Sequence, residues 1–287
     1  QRDDNYGSPL DFNQDGTVTQ NYGRYNHTFI NFNTGSSGTL EHLILKSNGY
    51  GVITAGASPT LRNVRFDNLS RGVRMTGIGT APVIENSVFN NTTYPLETSL
   101  LCFPASLIGN TFSGASYKGI KVMNETLNQN VTVNPLPFGE MENAPYIFEN
   151  YVVDAELTIN PGVKCKFLDN TKITVNRWLK AIGTPEKPIV FTSIYDDYYG
   201  GDTNADSTAT VANGSHWYGI QFADASIDAD CQLKHVIVKN AYEAITTTGA
   251  SPTLEYVTFY TNRNAVQATG ASNPVIDNCD FVGMSQR

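Results

Sequence analysis

The chain has 287 residues, a formal net charge of -8 and a pI near 5.0, with only 16% charged residues. With no run of Lys and Arg interleaved with aromatics to neutralise phosphates, this balance argues against a nucleic-acid partner. Abundant Asn, Thr, Gly, Ser and Tyr suit strands joined by polar turns better than helices, and no window of about 18 apolar residues provides a membrane-spanning helix.

The acidic N-terminal stretch comes first. Asp3 and Asp4 in "RDDNYG" precede Asp11-Phe12-Asn13-Gln14-Asp15, a D-x-N-x-D run. Side-chain oxygens at positions 1, 3 and 5 of a turning loop converge on a hard cation such as calcium. Gln1 is not an initiator Met, and the first residues carry no charged-then-apolar signal pattern, so a processed or excised chain is expected.

From Leu40 a short repeat of the form Φ-x-x-Φ-x-Φ begins, Φ being usually apolar. It reads Leu40, Leu43, Leu45; Leu61, Val64, Phe66; Ile84, Ser87, Phe89; and Leu107, Asn110, Phe112, in steps of 21, 23 and 23 residues. A second apolar position follows in each unit, usually after a small residue, as in Gly51-Val52, Gly72-Val73 and Gly119-Ile120. Turn signals such as Ser58-Pro59 and Ala81-Pro82 stand before the strands, where Pro is tolerated. "LEHLILKSN" also matches the opening of a leucine-rich repeat. The next unit puts Asn68 one place too early, however, and Gly, Thr and β-branched residues replace helix formers.

The spacing therefore predicts an all-β, right-handed parallel β-helix with coils of about 21–24 residues, some shorter in the middle. Equivalent side chains stack from rung to rung, so Phe66, Phe89 and Phe112 are expected to form an internal aromatic column. Asn110, facing inward, needs hydrogen-bond partners.

Three segments of one continuous solenoid follow: coils over residues 1–123, an irregular excursion over 124–145, and coils over 146–287. In the middle, Ile159, Val175 and Phe191 step by 16, which reads as tighter coils. Next comes a second acidic stretch, Asp196-Asp197 followed by Asp202-Thr203-Asn204-Ala205-Asp206. Calcium is expected here too, on Asp196, Asp197, Asp202, Asn204 and Asp206. Neither copy is an EF-hand, since Tyr22 and Asn213 replace the distal bidentate acid, and an Asx-rich turn capping its own backbone accounts for the same residues without a metal.

Beyond Trp217 the short repeat resumes as Leu233, Val236, Val238; Leu254, Val257, Phe259; and Ile276, Cys279, Phe281. The hexapeptide "GASPTL" at residues 56–61 recurs at 249–254, an offset of 193 that also superposes Leu40 on Leu233, His42 on His235 and Lys46 on Lys239. One long unit and part of a second are thus present. Cys279 takes the column of Val64 and Val257, as a buried free thiol. The nearest of the four cysteines are 48 residues apart, so no zinc site is expected, while a disulfide stays open.

The succession "LTINPGVKCKF", "GTPEKPIVFTS", "DDYYGGDTNADS", "WYGIQF" and "LKHVIVKNA" resembles secreted right-handed parallel β-helix repeat proteins of Bacteroidetes and related bacteria, akin in fold to pectate-lyase solenoids. The resemblance implies a secreted or cell-surface location. A long, calcium-stabilised, structural or adhesive tandem-repeat solenoid follows, its partners being neighbouring units of the same polypeptide or fibre and surface glycans. The alternative is a carbohydrate-binding module, or a polysaccharide lyase or hydrolase on the same scaffold.

Tyr198, Tyr199, Trp217 and Tyr218 are candidate sugar-stacking residues, with loop packing as the competing reading for Trp217. No catalytic residue is assigned. A lyase needs a basic side chain beside its acids, and a hydrolase needs convergent carboxylates with a nearby His or Lys. Neither stands out, and His27 and His216 have no acid at a recognisable spacing.

Overall fold

The computed structural model describes residues 28–284, in which short strands succeed one another with a single 3-10 turn, Asp228–Asp230. Every ladder between the described strands is parallel. The chain is a parallel β-helix, right-handed in the sense that parallel crossovers take.

Each turn presents three strands around a filled interior. One column runs the length of the described chain through Ile30, Val52, Val73, Leu96, Ile120, Tyr146, Cys165, Phe191, Val238, Phe259 and Phe281. Leu45, Phe66, Phe89 and Phe112 form another, and Val133, Ile159, Ala181, Leu233, Leu254 and Ile276 a third. Residues 124–145 carry the strands Thr126–Leu127 and Val131–Val133, which pair with the next turn.

The column order corrects two expectations. Ile159 stacks on Ala181, Val175 on Phe222, and Phe191 on Val238, so the 16-residue step is the distance between faces of one winding. In addition, Leu45 and Val238, equivalent across the 193-residue offset, lie in different columns. The 193-residue offset therefore does not carry a residue back to the same column.

The aromatic column is present. Phe66 and Phe89 stack at 4.8 Å and 4°, whereas Phe112 tilts to 48° because Phe138 meets both Phe89 and Phe112 edge-on. Bends come from a second column, between the first two apolar positions of the short repeat: His42, Asn63, Asn86, His235, Tyr256 and Asn278 all have φ between 47° and 55°. Asn bears this left-handed geometry best among residues with a side chain, and Gly109 takes the same place. His42 and His235 are therefore bend residues, and His235 stacks on Tyr256 at 4.8 Å.

Asn110 is 2% exposed and fully used. Its Oδ1 accepts the Ser87 N–H, and its Nδ2 donates to the carbonyls of Ile84 and Leu107. Asn110→Ala strands these backbone groups, and we expect chemical denaturation to show a loss of about 1–3 kcal/mol. All four cysteines are free; Cys279 is only partly buried, on the last described turn.

Candidate functional site

Residues 194–215 leave the winding after the strand Ile189–Ser193 and lie as a strap across the outer side of the long column. Outward residues on that side follow the pairing Lys121, Ile147, Lys166, Thr192, and the strap is tied to several of these rungs. The Lys118 N–H donates to the Thr203 carbonyl at 2.8 Å. Lys166 Nζ donates to the Gly201 carbonyl at 2.8 Å and to Thr203 Oγ1 at 2.6 Å. Lys239 Nζ reaches Asp196 Oδ1 at 3.0 Å.

Both ends of the strap meet at Asp169, which accepts from the Tyr195 hydroxyl at 2.7 Å and lies 3.1 Å from His216 Nδ1. His216 thus has an acid partner 47 residues away, out of reach of any spacing argument.

Within the strap the acids divide. Asp196, 4% exposed, is occupied by the Thr192 hydroxyl, the Tyr198 N–H and Lys239. Asp202 caps the Asp206 and Ser207 N–H groups, the Asx geometry that needs no metal. Asp197, Asp202 and Asp206 nevertheless bring carboxylate oxygens within 4.8 Å of one another. Asp197 Oδ1, Asp206 Oδ1 and Asn204 Oδ1 are buried atoms without a hydrogen-bond partner, while the other Asp206 oxygen accepts from Thr210. Burial first, and the Asp202 charge second, raise the Asp197 pKa above the usual carboxylate value.

This is a hard, oxygen-only donor set with spare acceptor capacity. Of the candidate ligands, Asp197, Asp202 and Asp206 converge, Asp196 is paired with Lys239, and the Asn204 amide donates to Thr210. Asp3, Asp4, Asp11, Asn13 and Asp15 lie outside the described residues.

Lys166 is the fully buried base among these acids, beside Lys239 on Asp196 and Lys118 on Asp202. Its side chain has no exposure and its ammonium is held by the strap, so it reaches no substrate proton. Burial holds its pKa down to about 8, against the pull of Asp196, Asp197 and Asp202.

The aromatics separate as well. Tyr198 and Tyr199 stand edge to face at 4.7 Å beside Lys239 and Tyr260. Trp217 is corrected to a core residue. It has no exposure, stacks on Phe167 at 4.1 Å, and donates Nε1–H to the Lys239 carbonyl, so neither face is free for a sugar. Tyr218 belongs to another neighbourhood, against Tyr242 and Asn170. Lys239 and Tyr260 were not singled out from sequence. Their signal was the alternation around Val238 and Phe259, which turns both outward on adjacent rungs.

The fold defines a parallel β-helix protein. Residues 2–136 match the family model described as a periplasmic copper-binding protein (NosD). No curated protein and no solved structure matches the chain. The matched residues end before the strap begins. A periplasmic family sits outside the cytoplasmic membrane, which agrees with the extracytoplasmic location expected here. Among the described residues, no helix is long and apolar enough to cross a membrane.

Proposed function

We propose that this chain is a structural, adhesive segment of an extracytoplasmic β-solenoid, whose strap is held by calcium on Asp197, Asp202 and Asp206. The observation that supports this reading most is the convergence of three carboxylates, with buried unpartnered oxygens on two of them, in a loop that otherwise bridges separate rungs. Calcium takes such oxygens from carboxylates, side-chain amides and carbonyls, and offsets the burial and the Asp202 charge that raise the Asp197 pKa.

Copper is not the ion this donor set suits. It favours imidazole and sulfur, and Asp197, Asp202 and Asp206 are the one cluster of three or more His, Cys, Asp or Glu close enough to share an ion among the described residues.

The test is thermal. Calcium at 10–100 times its Kd stabilises by about 1–3 kcal/mol, so chelation with EDTA lowers Tm, and Asp202→Asn removes the difference. A Tm indifferent to EDTA and calcium removes the calcium assignment. Acid acts in the same direction as chelation, because protonating Asp197, whose pKa is raised, expels the ion.

A further inference from the structure

Beside the strap lies a cavity of about 360 Å³ lined by Tyr198, Tyr199, Ile237, Lys239, Thr258 and Tyr260. A second hollow of about 320 Å³ continues from it, sharing Lys239 and Tyr260 and adding Asp196, Asp197 and Thr210. Together they form a cleft along two rungs.

The walls have a particular chemistry. Three tyrosine rings surround the Lys239 ammonium, each centroid 5.5 Å away, and Tyr198 and Tyr260 remain 80% and 42% exposed. Exposed aromatic faces above hydroxyls, an ammonium and carboxylates match a pyranose, which presents an apolar C–H face and a rim of hydroxyls. The charge balance selects among sugars. Asp196 already neutralises Lys239, the one cation in the lining, so no unpaired positive charge is left to hold an acidic glycan.

We propose that this cleft binds a neutral glycan chain, with Tyr260 and Tyr198 as stacking platforms and Lys239 as a hydrogen-bond donor to sugar hydroxyls. Tyr260 and Lys239 sit on strands and Tyr198 on the strap, so one wall of the cleft is independent of calcium and measurement in EDTA separates the two assignments.

The experiment titrates the whole chain with cellohexaose, laminarihexaose, mannohexaose and chitohexaose, with hexagalacturonate as the acidic comparison, by NMR and calorimetry in calcium and in EDTA. At least one neutral oligosaccharide is expected to bind at millimolar concentration or below. Tyr260→Ala and Tyr198→Ala should each weaken that binding at least tenfold, while Tyr218→Ala, about as exposed as Tyr260 but packed against Tyr242 and Asn170 instead, leaves it unchanged. Unaltered melting curves show that the variants fold. The proposal is overturned if none of the four binds, if hexagalacturonate binds more tightly than all of them, or if the Tyr260 and Tyr198 variants bind as the parent does. Binding that persists in EDTA keeps the glycan site whatever becomes of calcium.

Discussion

Phe89→Ala is expected to cost about 3–5 kcal/mol of unfolding free energy. Phe89 is fully buried between Phe66 at 4.8 Å and Phe112 at 6.2 Å, with Phe138 edge-on at 5.6 Å. Gly72 leaves room for the ring, since a Cβ there would stand 2.5 Å from it. The hole left by Ala has walls on every side and cannot collapse without moving neighbouring rungs. Phe281, the corresponding aromatic on the last described turn, is 53% exposed and stacks only on Phe259 among the described rings, so Phe281→Ala costs about 1 kcal/mol or less. Urea denaturation of the two variants measures the contrast. Equal losses would mean that the columns do not carry the stability of the solenoid.

Raising the pH from about 8 toward 10 is expected to stabilise the protein, by about 2 kcal/mol from Lys166 alone. In the fold its pKa is near 8, and in the unfolded chain it returns to 10.5. Between these values the unfolded state binds more protons, so unfolding becomes harder as pH rises; below pH 8 the penalty for the buried ammonium is present in full. Lys121, 2% exposed and also lowered by burial, adds to the same slope. Tyr94, Tyr146 and Tyr151 act oppositely from about pH 10, because burial raises their pKa values and unfolding releases their protons. Lys166→Met should flatten the rise between pH 8 and 10 in denaturation curves. A variant with the parent's slope would show that the ammonium is not held in a desolvated position.

The winding was legible because a solenoid writes its geometry into period: Leu61, Phe66 and Val73 recur one turn later as Ile84, Phe89 and Leu96. Stacking phase was harder to read, since an apolar residue fits any of the three inner faces, and only the pairing of Ile120 with Tyr146 shows which face continues. The Asn-rich bend column was visible as Asn63, Asn86 and Asn278, but His42 and Tyr256 disguised it. Within the strap, the D-x-N-x-D spacing pointed to Asp202 and Asp206, which the fold brings beside Asp197. It could not separate Asp197, free to join them, from Asp196, which Lys239 claims from 43 residues away. Trp217 misled as a surface aromatic because its position depends on Phe167, in an earlier turn.

Calcium is proposed to close the strap over the solenoid. Amide hydrogen exchange tests it most directly, residue by residue, in calcium and in EDTA. The N–H groups of Lys118, Asp206 and Ser207, bonded to Thr203 and Asp202, are expected to exchange about tenfold faster after chelation. The strands Arg65–Thr76 and Thr253–Tyr260 should keep their rates. Identical exchange of the strap in both conditions would contradict it.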